Sequence, residues 1–195
     1  MTMSLQTLAI QTILQPAEAA RAILSRDWPR EVLWTGLFLG LVLNTLFFAL
    51  QQVMFPVPDA AQVIRMGVTS YLMMNLAIQL ALIGGVTVAG RFLSGQGRMD
   101  QVMALMVWLL VLQAAGHAVM LLVIMLSPML AVLMNLVIVA AGFFIMLHFV
   151  NEVHRLGSLF KAFAVVLMAG VLVIAALTVF LNLFGFSILG LSANV

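Results

Sequence analysis

Long apolar runs alternate with short polar connections along most of this chain, and five of the runs reach the ~20 residues a helix needs to cross a hydrocarbon core. The first covers 31–55. Pro29 suits the first helical turn there, Glu31 sits where the helix dipole favours a carboxylate, and the Pro56-Val57-Pro58 sequence ends the hydrogen-bond ladder. The second covers 66–93, about 40 Å at 1.5 Å per residue against a core of about 30 Å. It must tilt, project or break, and Gly84-Gly85 marks where a kink is expected. RFLSGQGRMD, from Arg91 to Asp100, is a connection with turn signals at Ser94, Gly95 and Gly97. The third run covers 101–126, Ser127-Pro128 reverses the chain, and the fourth covers 129–150. The polar passage HFVNEVHRLGSLFKAF, from His148 to Phe163, then separates it from the fifth, at 158–184.

Ahead of the first run the pattern changes. Leu5, Leu8, Ala9, Ile13 and Leu14 recur at helical spacing, and Pro16 is placed to open a second short helix, from Ala17 to Leu24. Both pieces are too short to span, so residues 1–30 read as an amphipathic segment lying on the membrane, with Trp28 as an interfacial anchor. The opening residues lack the basic region and cleavage site of a signal peptide. The predicted fold class is therefore all-α: a polytopic membrane helical bundle of about five transmembrane helices over 31–195, behind an N-terminal interfacial helix.

Composition agrees with that class. Hydrophobic residues make up 65% of the chain and charged residues 7%, against about 25% charged in an ordinary soluble domain. Mean hydropathy is +1.25. The chain has no cysteine, which excludes disulfides, thiolate catalysis and Cys-ligated zinc. Its 8 Lys and Arg exceed its 6 Asp and Glu only slightly, which suits an anionic leaflet better than nucleic acid. Their placement is more informative than their number. Arg21, Arg26, Arg30, Arg91, Arg98, Arg155 and Lys161 all fall on one side of a five-span chain, with Arg65 on the other. The positive-inside rule places the larger group, and the amino terminus, in the cytoplasm, with the carboxyl terminus across the membrane.

Three patches, QTILQPAEAARAIL at Gln11 to Leu24, RFLSGQGRMDQVMALMVW at Arg91 to Trp108, and HFVNEVHRLGSLFKAF, resemble the Yip1-domain family, in particular its small bacterial members. The resemblance implies a multi-pass protein of the bacterial inner membrane that binds other membrane-associated proteins. The family's eukaryotic members associate with small Rab-type GTPases, and this sequence lacks the long acidic cytoplasmic extension those relatives use, so the resemblance does not extend to a GTPase partner.

Polar residues inside the runs are few. Asn75 with Gln79, and Gln113 with His117, stand four apart, so each pair shares a helical face. They suit either interhelical hydrogen bonding, worth on average about 0.6 kcal/mol per contact, or a polar pathway. The first is favoured, because paired intramembrane charges and internal repeats, the marks of a transporter, are missing. His148, Glu152 and His154 fall short of a zinc set: His148 and Glu152 share a face, His154 is rotated away, and the group reads as a solvated helix end. Gly36 and Gly40 on the first run, and Ala81, Gly85 and Ala89 on the second, have the small-residue spacing that lets helices pack closely. The 15 methionines offer adaptable, polarizable surface. The expected protein is non-enzymatic, with no catalytic set, metal or cofactor. Its expected partners are the lipid bilayer and other membrane proteins or a second copy, not nucleic acid. Alternatives are an accessory subunit or assembly factor that uses the Gly36 and Gly40 face, and a small transporter or channel that uses Asn75, Gln79, Gln113 and His117.

Overall fold

A computed structural model of the chain describes residues 4–55 and 67–183, and every regular element among them is a helix. Two short helices, α1 (Leu5–Leu14) and α2 (Pro16–Leu24), precede five long ones: α3 (Arg30–Met54), α4 (Val68–Phe92), α5 (Met99–Leu126), α6 (Pro128–His154) and α7 (Leu159–Leu183). Each of the five is long and apolar enough to cross a membrane. The Pro56-Val57-Pro58 stop, Arg65 and the end of the fifth run lie outside the described residues.

Local chemistry sets the boundaries. Ser4 caps α1, its hydroxyl accepting from the Thr7 N–H at 3.1 Å, and Pro16 occupies the first turn of α2. Pro29 is the N-cap of α3 rather than a residue of its first turn. Ser127 ends α5 and caps α6, with Pro128 next in line, which accounts for the tight reversal. α6 runs four residues past its expected end because Arg155, in the left-handed region at φ 52°, closes it there. The Leu156 N–H then bonds the Asn151 carbonyl at 3.1 Å, and the Ser158 N–H bonds the Asn151 side chain at 3.0 Å.

α4 is the hub, touching all four other spans and packing most extensively on α7, while α3 packs chiefly on α5. It is continuous through Gly84-Gly85 instead of breaking there. A Cβ at Gly85 would come within 3.3 Å of the Ala169 carbonyl oxygen, so this glycine permits the close α4–α7 crossing. The antiparallel course brings the starts of α3, α5 and α7 together with the ends of α4 and α6. The seven cations of the described residues lie at that end or on α2 beside it. The core is also concentrated there: apart from Ala131, and from Asn44, Thr45 and Ala114 just past the midpoints of α3 and α5, the buried residues of the spans sit in the half of each helix nearer the arginine-rich end.

α1 and α2 are packed onto this end. Ala19, Ala20 and Ile23 are buried on α2, which packs chiefly on α6 and also touches α5. Thr12 is fully buried on α1, and its hydroxyl accepts from the Trp108 indole N–H at 2.9 Å. Leu5, Ile10, Ile13 and Leu14 point outward, an apolar surface suited to acyl chains rather than water.

Candidate functional site

The connection between α4 and α5 and the end of α6 meet around one imidazole. His154, expected at a solvated helix end, has no exposed surface. Its Nδ1 accepts from the Gly97 N–H at 3.2 Å, and its backbone carbonyl accepts from the Gln96 N–H at 3.1 Å. An acceptor Nδ1 means a neutral ring with its proton on Nε2. The ring fits because three neighbours have no side chain. A Cβ at Gly97 would lie 2.6 Å from His154 Cε1, a Cβ at Gly95 would lie 2.7 Å from His154 Cβ, and a Cβ at Gly90 would overlap the imidazole outright. The Gly95-Gln96-Gly97 turn thus serves as a cradle. It locks α4, α5 and α6 together beneath the arginine-rich surface.

His148 and Glu152 are engaged elsewhere: the His148 Nδ1 pairs with the Phe144 carbonyl at 3.0 Å, and Glu152 lies 3.6 Å from Arg21. That ion pair joins α2 to α6. Arg26 places its guanidinium 5.9 Å from the Trp28 ring, and the Trp28 indole donates to the Ile23 carbonyl at 3.0 Å. Arg98 is paired with Asp100, its Nε donating to Oδ1 at 3.1 Å. The hydrogen bond to Asp100, reinforced by its charge, raises the Arg98 pKa above the usual value. Arg26, Arg30 and Arg98 line a polar cleft of about 270 Å³ with Asp27, Asp100 and Gln101. Beside it an apolar trough of about 350 Å³ runs between α1, α3 and α5. Arg91, Arg155 and Lys161 are exposed outside both.

The small residues face the bundle's own helices. A Cβ at Gly36 would lie 2.7 Å from Val107 Cγ1, and one at Gly40 would lie 2.9 Å from Leu110 Cβ, so α5 occupies the face that an assembly partner was expected to use. Ala89 is buried and Ala81 half-buried on α4. Asn44 reinforces the α3–α5 seam, its amide N–H group lying 2.8 Å from the Gly40 carbonyl and 3.2 Å from that of Leu110.

The intramembrane polar residues do not converge. His117 lines a cavity of about 10 Å³ with Phe47, Gln51, Met120, Leu121 and Ile124, room for about one water. Asn75, Gln79 and Gln113 do not line it. Asn75 and Gln79 are half-buried on α4, whereas Gln113 on α5 and Asn135 on α6 are exposed on the outside of the bundle.

Sequence reasoning missed the cradle and the Thr12–Trp108 bond. Glycines at 90, 95 and 97 were the available signal, but a glycine shows where a side chain is excluded, not what takes its place. A family model described as the Yip1 domain matches residues 10–181. No curated protein and no solved structure matches the chain.

Proposed function

This chain belongs to the Yip1-domain family, and on that footing we propose that it works without enzymatic activity, by binding another membrane protein or a second copy through the outer faces of α5 and α6. The family, generally non-enzymatic, supports the first half. The observation that carries the second is the pair of outward amides, Gln113 and Asn135. Gln113 lies about 21 Å along α5 and Asn135 about 10 Å along α6, so both fall within the hydrocarbon depth of spans about 40 Å long. Lipid tails offer an amide no hydrogen bond, and a polar side chain in this position is satisfied by a neighbouring helix.

The bundle sits in the cytoplasmic membrane with its arginine-rich end inside, in keeping with seven cations at that end. A carboxyl-terminal reporter active only in the cytoplasm should therefore be silent; activity would reverse the orientation. The binding proposal is tested by tagging the amino terminus, extracting native membranes in mild detergent, and identifying by mass spectrometry what co-elutes after size separation. A stoichiometric second chain, or a dimer, that Gln113→Leu with Asn135→Leu dissociates is the expected result. A stoichiometric complex of several chains would make this one its accessory subunit. A monomer under every mild extraction condition would overturn the proposal. No specific observation favours a transport pathway, since Asn75, Gln79 and Gln113 do not line the cavity beside His117.

A further inference from the structure

The polar cleft and the apolar trough are one recess, because Arg26, Trp28, Leu33 and Ala104 line both. One half is lined by arginines and carboxylates, the other by side chains such as Leu8, Val32, Val107 and Val111. We propose that this recess binds a single anionic phospholipid, with its phosphate between Arg26 and Arg30 and an acyl chain in the trough between α1, α3 and α5.

Charge selects the headgroup. Arg98 is taken up by Asp100, whereas Arg26 and Arg30 form no ion pair among the described residues. With Asp27, whose charge acts on Arg98, the three arginines of the cleft face two carboxylates, which leaves one positive charge to meet a phosphodiester. A zwitterionic lipid brings no net charge to match it.

Position favours a lipid over a free anion. Arg30 opens α3 and Arg98 caps α5, so the mouth lies at the end of the bundle, where headgroups are. From there the trough follows α5 down to Val111, about 18 Å beyond Met99, a depth that an acyl chain reaches and a soluble phosphate has no use for. Construction distinguishes the recess from ordinary bilayer contact. Its outer wall is α1, held against α5 by the Thr12–Trp108 bond, and Trp28 stands where the polar and apolar parts meet. Taken together, the volumes of about 270 and 350 Å³ fall within the range of ligand pockets.

The test uses the purified full-length protein in detergent, delipidated and then offered phosphatidylglycerol or phosphatidylethanolamine, with bound lipid counted by native mass spectrometry. One phosphatidylglycerol per chain should be retained in preference to phosphatidylethanolamine. Arg26→Gln with Arg30→Gln should weaken it roughly 25-fold, since each cation near a membrane surface contributes about a factor of five. Arg155→Gln with Lys161→Gln, which removes two cations outside the recess, should leave it unchanged. Val111→Trp, which fills the trough, should also release the lipid; should that variant aggregate, the exposed arginine pair carries the test. Equal retention of the two lipids would overturn the proposal and make the recess a generic bilayer contact. So would full retention in the Arg26 and Arg30 variant. Displacement by glycerophosphate at concentrations comparable to the lipid would show an anion site that makes no use of the chain, and would overturn the proposal as well.

Discussion

Replacing Gly90 by alanine places a methyl group inside the His154 imidazole, and the ring has nowhere to go. It is fully buried and bonded to the Gly97 N–H at 3.2 Å. Driving it out leaves that N–H unsatisfied, at about 1–3 kcal/mol. Overpacking adds typically about 1–3 kcal/mol. Alanine returns up to about 1 kcal/mol of helix propensity, so the net destabilisation should be about 1–6 kcal/mol. Gly142→Ala on α6 is the control, because a Cβ there meets nothing within 4 Å and should be neutral or slightly stabilising. Both variants are compared with the parent by equilibrium unfolding in mixed micelles of increasing denaturing detergent, followed by tryptophan fluorescence. A second arm adds His154→Ala to Gly90→Ala. Removing the ring removes the clash, so the double variant should be more stable than the sum of the single effects by about 0.5–3 kcal/mol, the usual coupling between residues in contact. The reasoning fails if Gly90→Ala unfolds within about 0.5 kcal/mol of Gly142→Ala, the spread expected for substitutions that disturb nothing. Strict additivity in the double variant would refute the proposed contact itself.

Gly40→Ala should cost about 1–3 kcal/mol in the same assay, because the new methyl meets Leu110 Cβ at 2.9 Å on a helix fixed by other contacts. Asn44→Leu removes the bond to the Leu110 carbonyl and should cost about 0.6 kcal/mol, and no more than about 1.7. Trp108→Phe keeps an aromatic ring, though a smaller one, but loses the indole N–H that holds Thr12. A cysteine placed at Ile13, free of background in a chain without native cysteine, should then react faster with a water-soluble maleimide. Glu152→Gln should change stability by less than about 1 kcal/mol, and less still at high salt, because the Arg21 side of the pair is 61% exposed.

The division between what could be read along the chain and what could not has a physical cause. Length, hydropathy, prolines and cations are one-dimensional quantities, so the sequence by itself determined an all-helical membrane bundle of five spans. It also determined the reversal at Ser127-Pro128, the turn residues between α4 and α5, and that seven cations share one side. In a soluble bundle the next step, the rotation of each helix about its axis, is legible from an amphipathic stripe. Here the surroundings of the spans are as apolar as their core, and the apolar residues of α5 and α6 are spread round the helix. Rotation is therefore decided by shape: Gly40 opposite Leu110, Gly85 against Ala169, and an imidazole seated among Gly90, Gly95 and Gly97. Only the tertiary structure could decide that His154 is buried, that Gly36 and Gly40 face α5, that Gln113 and Asn135 turn outward, and that Arg26 and Arg30 stand over an apolar trough. Each of these depends on residues far apart in the chain meeting at van der Waals distance, and hydropathy along the chain does not record such meetings.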